Sequence, residues 1–88
     1  MPPSSERTVV LPDGVPLHAR PAGTFVKAAT RFGSAVAVAA NGRRANAKSI
    51  LEVLALGAEG GTELTLSASG DDAADAVDEL ATLVAQLA

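Results

Sequence analysis

Apolar and polar positions change period several times along the chain, and each change marks the border of an element. Arg7-Thr8-Val9-Val10-Leu11 is a short β-branched run, which predicts a first strand over 7–11. Pro12-Asp13-Gly14 closes it, and Pro16 keeps the following loop extended. From Ala19 the period becomes helical: Ala22, Phe25, Val26, Ala29 and Phe32 fall on one stripe. Pro21 sits in the first turn, where its missing N–H costs nothing, and Gly33 is the expected stop. Residues 34–40 alternate, with Val36 and Val38 on one face, and Asn41-Gly42 signals a type I′ hairpin returning over 43–47. Ser49 and Glu52 have the spacing of a capping box, opening a short helix that ends at Gly57. After a turn at Gly60-Gly61, residues 62–68 set Leu64, Leu66 and Ala68 against Glu63, Thr65 and Ser67, a strand with one wet face. Asp71 and Asp72 bring negative charge to the start of a last helix, whose stripe is Ala73, Ala76, Val77, Leu80, Val84 and Leu87.

The order βαββαβα predicts an α+β, open-faced two-layer sandwich: three helices cover the apolar face of one mostly antiparallel sheet. Residues 1–88 form a single domain in this reading, with 1–6 as a flexible tail of prolines and serines before any regular pattern. The hydrophobic share of 48% supports a packed globule, but much of it is alanine, so the core is expected to be thin.

Composition then removes several function classes. The chain has no cysteine, which excludes disulfides and thiolate metal sites and fits a cytoplasmic protein. No apolar run approaches the roughly 20 residues needed to cross a bilayer, and the first residues lack the pattern of a signal peptide. A net charge of −3, with two phenylalanines and neither Trp nor Tyr, disfavours nucleic-acid binding. No cofactor and no metal are expected. So small a chain with so few reactive groups is expected to act with partner proteins rather than as a self-contained enzyme, and a monomer is the default.

The single histidine, His18, stands immediately before a helix, followed by Ala19-Arg20-Pro21-Ala22. A lone histidine is ordinarily an exposed loop residue. Here a helix N-terminus offers unpaired N–H groups to an anion, Arg20 adds a permanent cation with several donors, and Pro21 fixes the first turn. A helix terminus stabilises a nearby exposed anion by about 0.3–1 kcal/mol, enough to steady a phosphohistidine without trapping it. No second histidine is present to serve as the base of a hydrolase. The site therefore reads as covalent phosphoryl relay.

Leu17-His18-Ala19-Arg20-Pro21-Ala22 resembles the active-site signature of HPr, the histidine-containing phosphocarrier of the sugar phosphotransferase system. The likeness continues through Phe25-Val26, Asn41-Gly42, Ala47-Lys48-Ser49-Ile50-Leu51, Leu56-Gly57 and Leu66-Ser67-Ala68-Ser69-Gly70, covering the chain from Arg7 to Leu87. The resemblance implies a sheet order of 1-4-2-3. It implies that Nδ1 of His18 accepts phosphate from phosphorylated enzyme I, assisted by Arg20, and passes it to an EIIA domain of a sugar permease. It also implies a docking surface of Ala19, Arg20, Gly23, Lys27, Lys48, Ile50, Leu51 and Leu54. One departure is plain: the family usually has glycine shortly before the histidine, whereas here the run is Gly14-Val15-Pro16-Leu17.

Two readings stay open for Ser49. Its spacing to Glu52 explains it as a helix cap, while the resemblance implies phosphorylation by an HPr kinase/phosphorylase that weakens transfer from enzyme I. Two readings also stand for the helix after it: all of its apolar residues are buried, or Leu51 and Leu54 form an exposed patch for partners. Lys27, Arg31, Arg43 and Arg44 otherwise read as solvated. A regulatory interaction module, whose phosphorylation state selects its partners, is the alternative to a carrier. A small-ligand sensor ranks below both, because it has no need of His-x-Arg-Pro at a helix start.

Overall fold

Alternation along four strands sorts one sheet into an apolar face and a polar one. The computed structural model describes residues 3–87. The elements are β1 (Ser4–Val10), α1 (Ala19–Ala29), β2 (Ala35–Ala40), β3 (Arg43–Asn46), α2 (Ile50–Ala55), β4 (Glu63–Ser69) and α3 (Ala73–Ala85). The sheet runs β1-β4-β2-β3 and every pairing is antiparallel, so the fold is the expected α+β sandwich. Val36, Val38 and Ala40 of β2 and Leu64, Leu66 and Ala68 of β4 turn inward beneath the helices. The largest fully buried side chains are Phe25 from α1, Leu11 and Leu17 from the loop after β1, Leu64 and Leu66 from β4, and Leu80 from α3. At the hairpin, Asn41 (φ 55°) and Gly42 (φ 75°) both take the left-handed conformation that a type I′ turn demands.

Several borders and side-chain roles differ from expectation, each for an identifiable physical reason. Ser4, Ser5 and Glu6 are not a tail: they pair with Ser69, Ala68 and Ser67, because β4 extends to Ser69 and offers its backbone edge to them. The first two residues of the expected tail lie outside the described residues. β1 ends at Val10, and Leu11 turns into the core. α1 ends at Ala29 rather than near Gly33, with the Thr30 hydroxyl donating to the Lys27 carbonyl at 2.7 Å. Arg43 is not merely solvated; its guanidinium donates to the Ala55 carbonyl at the end of α2, at 3.1 Å. Arg31 likewise faces Glu79 of α3 at 3.3 Å.

Asp72 ties the sheet to α3. It stands at the N-cap position of α3, but its carboxylate bonds elsewhere. One oxygen accepts the Gly33 N–H at 2.9 Å, and the other accepts the Ser34 N–H at 2.9 Å and the Ser34 hydroxyl. The Ser34 hydroxyl, foremost, and these backbone donors hold the Asp72 carboxyl below its ordinary value. A carboxylate whose folded-state value is depressed stabilises the fold above the unfolded value of about 3.9, and that stabilisation is lost as pH falls through the lower folded value. Asp72→Asn is therefore expected to melt at a lower temperature than the parent at neutral pH. The gap between the two should narrow below about pH 4, in thermal melts followed by circular dichroism from pH 7 downward.

Candidate functional site

The site lies where two loops meet at one end of the sheet. Val10, the last residue of β1, pairs with Glu63, the first of β4, so the loop leaving β1 and the loop entering β4 are neighbours. Three backbone bonds join them: Leu11 N–H to Thr62 O at 3.0 Å, Gly61 N–H to Leu11 O at 2.9 Å, and Leu17 N–H to Ala58 O at 2.9 Å. Gly60 is where they press closest. A Cβ there would stand 2.5 Å from the Gly14 nitrogen and 2.9 Å from the Pro12 oxygen, so no side chain fits. Residues 12–15 form a turn closed by Val15 N–H to Pro12 O at 3.1 Å, and Pro16, part of the departure noted in the sequence, follows it.

This framework seats His18. Leu17 is buried at 2% exposure and anchors the residue just before it. His18 is the N-cap of α1, with extended backbone (φ −87°, ψ −167°), and its carbonyl accepts the Ala22 N–H at 2.8 Å. Its side chain makes no capping bond, and the imidazole is 70% exposed. Pro21 has no N–H to offer, so the free amides of the first turn are those of Ala19 and Arg20, directly after the histidine. The exposed Arg20 guanidinium has no hydrogen-bond or ion-pair partner among the described residues. An exposed nucleophilic ring, two unused amides and an unpaired guanidinium are grouped within three consecutive residues, which suits a transient anion.

One member was not foreseen. Glu59 brings Oε1 to 3.9 Å from Nε2 of His18, with its own side chain 69% exposed. Local sequence carries no sign of it, because the two residues are far apart in the chain. Only the adjacency of β1 and β4 brings their loops together.

α2 resolves the choice posed for its apolar residues. Val53 is fully buried and Leu56 nearly so, while Leu51 is 78% exposed and Ile50 and Leu54 stand at 38% and 37%. α2 packs against α1, the helix that carries exposed Ala19 and Lys27 and partly covered Gly23. Lys48, which the resemblance implies in the docking surface, is half-buried, and its ammonium donates to the Phe32 carbonyl at 2.7 Å. Ser49 is the N-cap of α2 and accepts the Glu52 N–H at 3.3 Å. The capping box is only half made, because Glu52 turns its carboxylate to the Asn46 N–H at 3.0 Å.

A broad depression lies elsewhere, on the open face of the sheet, lined by Ser4, Glu6, Ala35, Ala37, Asn46 and Ser67 among others. None of its lining residues belongs to the His18 cluster. Among the described residues there is no group of three or more His, Cys, Asp or Glu side chains that could hold a metal ion. Among the described residues, no helix is long and apolar enough to cross a membrane.

Comparison with known proteins agrees with this arrangement. The family model PTS-HPr, described as the PTS HPr component phosphorylation site, matches residues 5–86. The phosphocarrier protein HPr of Streptomyces coelicolor is 51% identical over 71 residues, 80% of this chain and 76% of that protein. The HPr-like protein Crh of Bacillus subtilis is 46% identical over 68 residues, 77% of this chain and 80% of that one. The crystal structure of HPr-C-His from Thermoanaerobacter tengcongensis matches with a TM-score of 0.89 and 37% identity, covering 94% of this chain and 93% of that one.

The loop contact and the helix interior answer oppositely to an added methyl group. Gly60→Ala forces the two loops apart and is expected to cost about 1–3 kcal/mol, with faster amide exchange at Leu17. Gly23→Ala meets open space within α1 and is expected to gain about 0.5–1 kcal/mol. Denaturant melts of both variants check the contrast.

Proposed function

The chain belongs to the HPr family of phosphocarrier proteins of the phosphotransferase system, and on that premise we propose that His18 is its phosphoryl acceptor. In this reading the Nδ1 lone pair takes a phosphoryl group from phosphorylated enzyme I and later yields it to an EIIA domain. The chain is then a carrier in the cytoplasm, working as a monomer with partner enzymes and needing no cofactor. The observation that carries the reading is the exposed imidazole at the N-cap of α1, which makes no hydrogen bond among the described residues, next to two free amides and a free guanidinium.

Each group has a role that follows from its position. Arg20 and the amides of Ala19 and Arg20 neutralise the oxygens of the phosphoryl group once it is on the ring. The weak hold of an open helix end, about 0.3–1 kcal/mol, keeps the group transferable. Leu51, with Ile50 and Leu54 beside it, is a hydrophobic dock for both partners, and exposed Ala19 and Lys27, with partly covered Gly23, extend it along α1. Lys48 serves as a brace between the α2 entry and the loop after α1.

A second reading concerns control rather than transfer, and the likeness to the HPr-like protein Crh favours keeping it. Ser49 is a target for an HPr kinase/phosphorylase. A phosphate there adds about −1.5 to −2 charge at the start of α2, where Glu52 already lies, and would repel an acidic partner from the neighbouring dock.

Incubation with enzyme I and radiolabelled phosphoenolpyruvate tests both readings. The expected label is acid-labile and alkali-stable, and absent from His18→Ala. Ser49→Asp should accept label several-fold more slowly than the parent. Acid-stable label that persists in His18→Ala would contradict the carrier, and a Ser49→Asp chain as fast as the parent would contradict the control.

A further inference from the structure

Glu59 has no bonding role in the fold for its carboxylate. Its backbone is fixed, because the Glu59 N–H donates to the Thr62 hydroxyl at 3.2 Å and its carbonyl accepts the Thr62 N–H at 3.0 Å. The next residue is Gly60, pressed against Pro12 and Gly14, and the residue before it, Ala58, accepts the Leu17 N–H. Both the histidine and the glutamate are therefore held by one clamp. The carboxylate itself makes no hydrogen bond among the described residues; the side chain it faces is the imidazole of His18, with Nε2 at 3.9 Å.

We infer that Glu59 is a positioning residue for His18, keeping the ring hydrogen on Nε2 and leaving the lone pair on Nδ1. The inference rests on the reading of His18 as phosphoacceptor and names what orients it. A neutral imidazole carries its one hydrogen on either nitrogen. A carboxylate beside Nε2 favours the N–H there and disfavours a lone pair facing its negative charge. Nδ1 is then free to attack. When its lone pair forms the bond to phosphorus, the bond between phosphorus and the donor breaks and its electron pair leaves with the donor. The ring becomes a cation, with its hydrogen still on Nε2. The carboxylate thus faces a neutral N–H before transfer and a positive ring after it, so its attraction grows along the reaction.

The other charges near the ring act on its opposite concern. Arg20 and the first turn of α1 serve the phosphoryl oxygens, whereas Glu59 serves the ring. Charge on either side of the transferred group is the arrangement a reversible relay needs. The pair is exposed and about 4 Å apart in a medium close to water, where such an attraction is modest, and the expected effect is about 2–5-fold in rate.

The test uses phosphoramidate, a small phosphoryl donor that docks on no helix, so intrinsic reactivity is separated from partner binding. Glu59→Ala should be phosphorylated about 2–5-fold more slowly than the parent, and Glu59→Lys more slowly still, with unchanged circular dichroism. With enzyme I as donor, both variants should lose kcat while KM stays near the parent value. Long-range proton–nitrogen correlation spectra of the histidine ring in the unphosphorylated parent should show hydrogen on Nε2, with a larger Nδ1–H share in Glu59→Lys. Equal phosphoramidate rates in the parent and both variants would overturn the inference, as would a parent ring with its hydrogen mainly on Nδ1. Labelling of His18→Ala would instead overturn the reading of His18 itself.

Discussion

The pairing of Val10 with Glu63 decides where chemistry can occur in this chain. It places the loop after β1 and the loop before β4 side by side, and the Leu17–Ala58 bond with the bare backbone at Gly60 locks them. Buried Leu17 then leaves His18 no choice but to emerge at the start of α1. The position of the ring, the unused amides beyond it and the facing carboxylate all follow from that one junction. The elements far from it, including the hairpin and the open face of the sheet, serve mainly to hold it in register.

Exposure of His18 is central to the proposed relay. A buried phosphohistidine would gain strong electrostatic stabilisation and would be hard to reach or discharge. Here the ring is 70% exposed, and the groups that could greet a phosphoryl oxygen are two amides and one guanidinium at the protein surface. Weak, solvent-screened contacts let a group be received and released with little free-energy difference. In the proposed relay, specificity comes from docking, and the solvent-facing side of α2, with Leu51 at 78% exposure, is the apolar surface beside the helix that carries the ring.

Much of this was legible in the residues. The alternation in β2 and β4, the Asn41-Gly42 turn and the stripe of α3 each state a period that packing merely fills in. His18 before Pro21 is equally local, since the helix start and its missing donor are both written within a few residues. What escaped was set by partners distant in sequence. Ser4–Glu6 look disordered until β4 supplies an edge, and Gly33 looks like a helix stop until Asp72 claims its N–H. The bond from Lys48 to the Phe32 carbonyl has no local signature, and Glu59 looks like an ordinary turn residue until β1 and β4 become neighbours. The sheet order implied by the family resemblance contained the last of these, but only three-dimensional packing gives it a distance.

A relay through His18 requires the first turn of α1 to be the cradle for the phosphoryl group. Amide proton–nitrogen spectra of the uniformly labelled chain, before and after charging with enzyme I and phosphoenolpyruvate, examine that turn directly. The Ala19 and Arg20 amides, free in the resting fold, should show the largest downfield proton shifts of the backbone, as each gains an anionic acceptor. Unmoved Ala19 and Arg20 signals in a fully phosphorylated chain, with the main changes on the sheet face or along α2, would contradict it.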